Sequence, residues 1–300
     1  GWWRCSPLNA ALWLRGIMVE AYIVLDESGA KGKSNKNEQS EGEFGVVAGF
    51  LCSVGGYKYF EEVARDISQK TAFCGGKLHI TDIPTEKSNE IKDSFFNFMK
   101  RFGVCWSYSA GYVNGFYEFN SFEERPRLLH SALVVQLLAK LLARVKSMYP
   151  NQPIKLNIVT DLLQEATVKL IRQEFDEITE LFIHGKRSRP IRRFNRIEKK
   201  LEHATSTIEI DKNVYENVHI PELDYEIKCE VSDITFMADI LSNSVYRHLR
   251  EKLKSTTPVD FKLESKMAIS AHSLEHTCFG ASDDDTMSFS DLAFFHRGKR

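Results

Sequence analysis

The sequence predicts an α/β protein with a mixed central β-sheet flanked by helices, and three observations carry that reading. Short apolar runs rich in β-formers alternate with longer stretches of helical spacing. Two such runs come one after the other before the first helix, a meander that argues against a purely parallel sheet. The chain has 300 residues, 43% of them hydrophobic, enough for one large core, so one main domain with insertions is expected.

The elements follow in order. Ala21 to Leu25 is a β-rich run that delivers Asp26-Glu27 to a turn at Ser28-Gly29. A polar loop from Ala30 to Glu43 leads to Phe44–Cys52, near-continuously apolar as a buried central strand is. Tyr57 to Gln69 has helical spacing, with Phe60, Val63, Ala64 and Ile67 on one face. After Gly75-Gly76 and the stretch Lys77 to Asp82, a second helix is expected from about Ser88 to Arg101, then a strand over Val104–Val113. Leu128 to Val145 is apolar except for Gln136, Lys140 and Arg144, a narrow polar stripe that favours a helix packed against a sheet over a membrane span. Pro153 opens a strand that ends on Asp161, and a helix is expected from about Leu162 to Ile183. Beyond a basic stretch lie a short strand candidate at Thr207–Ile210, a stronger one at Asp224–Val231, and a helix capped by Ser232 or Asp233 that runs to about Leu253.

This divides the chain into a leader or upstream extension (1–17), a main domain (18–254) with a basic insertion at about 185–222, and a partly flexible C-terminal extension (255–300) that includes the solvated run Ser282 to Asp285. Six cysteines lie scattered with no Cys-x-x-Cys pair, which favours reduced thiols and a cytoplasmic setting over a disulfide framework. No membrane association is expected. The net charge of -1 argues against a wholly basic nucleic-acid binder but hides an asymmetry. Between Lys186 and Lys200 stand eight Lys or Arg and one Glu, a local charge of +7 against -8 for the rest of the chain. Lys186, Arg187, Arg189, Arg192, Arg193, Arg196, Lys199 and Lys200 are therefore the candidate nucleic-acid contacts, with a solvated charge run or an acidic protein partner as alternatives. This segment is expected to emerge near the active-site end of the fold or along its flank.

Three acids carry the candidate chemistry. Asp26 and Asp161 each close an apolar strand, and Asp239 stands in an otherwise apolar helical face. Should the two strands be neighbours and the helix cross their ends, the carboxylates converge as hard oxygen ligands suited to Mg²⁺ or Mn²⁺. Each acid also has an ordinary reading: Asp26 as a cap of the following turn, Asp161 as the N-cap of the next helix, Asp239 as a partner of Arg247 or a lysine.

Asp26-Glu27-Ser28-Gly29, the strand with Gly45 and Gly49, Leu78-His79, Asp161 and Ala238-Asp239-Ile240 together resemble the family catalogued as domain of unknown function 3800. That family is placed by similarity in the ribonuclease H-like superfamily. The resemblance covers about Glu20 to Leu253 and implies a ribonuclease H-like fold with Asp26, Asp161 and Asp239 as metal-binding acids. Glu27 is then a further ligand or a hydrogen-bond partner. Two positions depart from the pattern: Lys77 stands where a Glu is common, and Phe236 where a Gln is usual. Asp82 or His79 is the candidate substitute for the missing acid. His79 can coordinate, shuttle a proton or contact phosphate, and a plain surface histidine is the alternative.

His272-Ser273-Leu274-Glu275-His276 matches an inverted zincin pattern, yet only 24 residues follow it and none is Glu, so zinc hydrolysis is disfavoured. The expectation is a divalent-metal-dependent nuclease acting on RNA, DNA or a hybrid, which the resemblance links to a defence or mobile-element setting. The rival is a non-catalytic nucleic-acid- or protein-binding module on the same fold.

Overall fold

A computed structural model describes residues 18–33, 35–71, 78–120, 128–195, 200–254, 268–279 and 292–293. The expected leader at 1–17, Lys77, Arg196, Lys199 and the run 282–285 lie outside the described residues. The sheet begins with β1 (Val19–Gly29) and β2 (Phe44–Ser53), paired antiparallel with Asp26 opposite Ala48. After α1 (Val54–Gln69) and α2 (Thr85–Phe102), β3 (Trp106–Tyr112) pairs antiparallel with β2. Then come α3 (Val113–Asn120), α4 (Leu129–Met148) and β4 (Ile154–Thr160), the last parallel to β1. Next are α5 (Glu165–His184), β5 (Lys186–Asn195), β6 (Lys200–Glu209), α6 (Lys212–Val218), β7 (Leu223–Cys229) and α7 (Asp233–Lys254). A two-residue β8 (Leu292–Ala293) completes the described elements. The main sheet has the order β7-β4-β1-β2-β3-β8, so the expected mixed sheet is present, with β1 at its centre and parallel neighbours on one side only.

Strand alternation sorts the core into two layers. Val24, Val46, Ala48, Phe50, Trp106 and Tyr108 face α1, α2 and α7, while Ile23, Leu25, Val47, Leu51, Leu156 and Ile158 face α4 and α5. The period of two in each strand produces this split, and it also decides which acid reaches which face. At the end of β1, Gly29 adopts φ +82°, and a Cβ there would lie 2.5 Å from the Tyr246 ring and 2.7 Å from the Phe44 carbonyl. Only glycine lets the strand end beneath α7.

The polar stripe of α4 is turned inward, with Lys140 buried and Gln136 and Arg144 half-buried. Lys140 is 1% exposed, and its ammonium donates to the Tyr108 carbonyl at 2.7 Å, while the Arg144 guanidinium lies over the Phe279 ring. Both serve the outer side of β3, which pairs with β2 on its other side. Around them the C-terminal segment seals the same strand: Phe279 N–H donates to the Trp106 carbonyl at 2.7 Å, Trp106 Nε1 to the Leu274 carbonyl at 3.0 Å, and Ser107 Oγ to the Phe279 carbonyl at 2.8 Å. An edge capped in this way offers few free backbone groups to another chain.

The zinc pattern comes apart here, as its disfavoured reading anticipates. His272 is buried against Trp106, Phe96 and His248, whereas the His276 side chain is 91% exposed and pairs with Glu275. The pair sits in turns and a 3-10 segment, so the helical spacing of four residues never forms.

The expected basic insertion is also more ordered than its composition suggests. β5 and β6 form a separate two-stranded antiparallel ribbon, registered from Lys186–Glu209 to Asn195–Lys200, which absorbs the short strand candidate at Thr207–Ile210. It is rooted at the C-terminus of α5, a 20-residue helix that starts four residues after Asp161. That root lies about 30 Å along the helix from the acid-bearing end. Of the two expected places of emergence, the active-site end and the flank, the root at the far end of α5 favours the flank.

Candidate functional site

Parallel register brings the first two acids together. Leu25 is partnered with Thr160, the last pair between β1 and β4, and one step further on come Asp26, three residues before the end of β1, and Asp161, just past the end of β4. Both are buried, 4% and 5% exposed. Asp26 points to the layer that holds α7, the helix that carries Asp239, as alternation after Val24 requires. Open sheets place ligands at such strand ends.

The electrostatics register the convergence. Burial first, and then the charges of Glu27, Asp239 and Asp161, hold the Asp26 carboxyl well above the usual carboxylate range. A backbone hydrogen bond at Glu27 opposes this without reversing it. Asp239 Oδ2 accepts from the Ile80 backbone N–H at 2.7 Å, which docks the 3-10 turn Ile80–Asp82 onto α7. Asp161 Oδ1 accepts from the Leu162 N–H at 2.6 Å, and the N-cap of α5 is Gln164, so Asp161 does not cap that helix. Asp26 lies within a strand that continues to Gly29, which likewise sets aside its capping role.

Glu27 takes the opposite course. Its alternation turns it towards α4, where Lys31 stands 2.9 Å away and His130 3.5 Å away. Burial acts to raise its carboxyl, but His130, Lys31 and a hydrogen bond with Asp26 outweigh burial and hold it below the ordinary value. Burial pushes His130 itself down. Lys31 is then the cation that balances Glu27 at neutral pH. Neither Lys31 nor His130 was marked by the sequence, because a cation in a polar loop and a histidine at a helix start carry no spacing signal.

His79 stands 3.9 Å from Asp239 with its side chain 39% exposed, at the rim of the acids. Asp82 is exposed at the end of the 3-10 turn. A cleft of about 240 Å³ opens beside Asp161 and Asp239, walled by Leu78 and Phe236 and by the start of α7. That start is fixed by a reciprocal cap: Ser232 N–H donates to Thr235 Oγ1 at 3.0 Å, and Thr235 N–H to Ser232 Oγ at 3.4 Å.

Among the described residues no group of three or more His, Cys, Asp or Glu side chains stands as a ready metal cage. The donors that a hard cation such as Mg²⁺ or Mn²⁺ would meet here are carboxylate oxygens, with burial and neighbouring charge raising Asp26.

Of the basic residues, Arg187 is committed elsewhere. It pairs with Glu177, and with Glu180 at 3.9 Å, on α5. Lys186 is exposed, and Arg189, Arg192, Arg193 and Lys200 are placed by the backbone register of the ribbon. Among the described residues no helix is long and apolar enough to cross a membrane. A scan against protein-family models gives no match, and a search of curated proteins gives none either.

Proposed function

We propose that this chain is a divalent-metal-dependent nuclease on a ribonuclease H-like fold, hydrolysing phosphodiesters of RNA, DNA or a hybrid. The observation that carries the reading is the carboxylate cluster: Asp26 near the end of β1 and Asp161 just past the end of β4, with Asp239 acting on the Asp26 carboxyl. The resemblance to domain of unknown function 3800 supports it, and a mixed sheet with a leading meander is in keeping with that fold. A cytoplasmic defence or mobile-element setting belongs to the same proposal.

Asp26, Asp161 and Asp239 would hold the ion, which when bound supplies positive charge for the phosphate oxygens and acidifies a water. The chain's own residues do the rest. Asp239 is aimed by the Ile80 N–H and Asp161 by the Leu162 N–H, so neither carboxylate has to be ordered on binding. Glu27, balanced by Lys31 on the other face of β1, supports Asp26 from behind and is not itself a ligand. His79, at the rim, is placed to contact a phosphate or hand a proton to a departing oxygen.

Asp26→Asn and Asp239→Asn are expected to lower Mg²⁺- or Mn²⁺-dependent cleavage by at least roughly 100-fold while circular dichroism stays unchanged. Full activity in both variants would sink the reading. Binding that survives EDTA, with no cleavage in any metal, would leave a non-catalytic binding module.

A further inference from the structure

The cleft beside Asp161 and Asp239 limits its occupant by size and by charge. Its volume, about 240 Å³, lies below the roughly 300–1,000 Å³ of sites that hold drug-sized ligands. One heterocyclic ring system fits such a space, whereas a base pair brings two sugar–phosphate strands that cannot follow it in. Three of the lining side chains are carboxylates, Asp161, Asp233 and Asp239, and among the described residues none that lines the cleft is Lys or Arg. A phosphate inside it would meet like charge, so the group that fills the cleft carries no negative charge.

The remaining lining is apolar on one side and short of a hydrogen bond on the other. Leu78 and Phe236 wall the cleft, and Val231 lines it while 49% exposed. The register of β4 with β7 ends at Thr160 and Cys229, and two residues beyond that pair come Leu162 and Val231. Leu162 is 62% exposed, the most exposed of the large apolar side chains among the described residues. Two such side chains left in water next to buried carboxylates form a surface that a flat apolar face can cover. Ser68 Oγ, in the same lining, is buried with no hydrogen-bond partner, and a ligand that brings one relieves that cost.

A nucleobase supplies both halves: faces that pack on apolar side chains and an edge of donors and acceptors. Asp233 selects among bases. Its carboxylate accepts from an exocyclic amino group, as in cytosine, adenine and guanine, and repels the carbonyl that uracil and thymine present where cytosine has its amino group. We propose that this cleft is a subsite for one unpaired, amino-bearing base of a nucleic-acid strand, whose phosphodiester stays outside it. The subsite rests on the nuclease reading for the strand that carries the base, and it narrows that reading to unpaired substrates.

Base binding and cleavage are measured separately. Saturation-transfer NMR in EDTA compares cytidine with uridine, which differ at the amino position, and cytidine is expected to bind at least about 10-fold tighter. Asp233→Asn should erase that preference, because an amide donates as well as accepts. Val231→Asp, at an exposed position, should keep its melting temperature while weakening cytidine about 10-fold. With Mn²⁺ added, a single strand should be cleaved at least about 10-fold faster than its duplex. Equal binding of the two nucleosides, or binding of neither, would overturn the subsite whatever is cleaved. A duplex cut as fast as the single strand would also overturn it and leave the nuclease reading standing. Cytidine preferred by a protein that cleaves neither form would uphold the subsite and remove the nuclease reading.

Discussion

Two regions of this protein bury charged or titratable side chains, and they do so on opposite terms. Along the outer side of β3, Lys140 donates to the Tyr108 carbonyl, and His272 accepts from the Leu274 N–H at 3.2 Å and lies 3.2 Å from Ser244 Oγ. Each of those contacts satisfies a group that a finished fold needs satisfied. Near the ends of β1 and β4, burial and then the charges of Glu27, Asp239 and Asp161 instead raise the Asp26 carboxyl. Buried polarity with matched partners reads as architecture, while a carboxyl raised by burial and like charge marks the site proposed above.

The comparison breaks most readily at Lys140. Lys140→Ala removes a buried stem and orphans a carbonyl, and it is expected to cost roughly 3–5 kcal/mol in urea denaturation. A loss below about 1 kcal/mol would mean that the stripe is not structural.

His272 gives the next largest effect. Burial first, then the nearby His248, Lys92 and Lys100, push it down to about 3. A depressed histidine contributes stability that is complete above its unfolded value of about 6.5 and is lost as pH falls towards 3. Melting temperature followed from pH 7 to pH 4 should therefore decline in the wild type. His272→Gln should lower the neutral-pH value and flatten that acid limb, and an unchanged limb would assign the decline to other groups.

Asp26 should behave with the reverse sign. Its raised carboxyl means the folded state binds that proton more tightly than the unfolded chain, so the contribution is fully present at acid pH and lost as pH rises through the folded value. Asp26→Asn is expected to raise the melting temperature at neutral pH by about 2–4 °C for each kcal/mol of repulsion relieved, although it removes a proposed ligand. A drop instead would show that Asp26 is a satisfied structural acid.

Much of this could be read from the sequence where a single element carries the signal. Apolar runs ending on Asp26 and Asp161 marked the central strands, and Asp239 stood out within the apolar pattern of Ile234, Met237, Ala238 and Leu241. What sequence could not supply was pairing across elements. Glu27 stood as a further ligand or a hydrogen-bond partner of the site until alternation sent it to the other face, where Lys31 and His130 hold it. The first strand of the ribbon was hidden because Pro190 and five Lys or Arg within its ten residues dilute the alternation that identifies a strand. The short helices α3 and α6 were passed over because eight and seven residues hold barely two helical turns.

The seal on β3 has a consequence for how the chain is made. Trp106 receives its partner at Leu274 from 168 positions later in the sequence. At about 5–20 residues per second, that strand leaves the ribosome on the order of ten seconds or more before the residues that cover it. During this interval its backbone groups and the indole are open to other nascent chains. Slow synthesis, or a break before residue 268, would therefore expose a sticky intermediate rather than a smaller working protein.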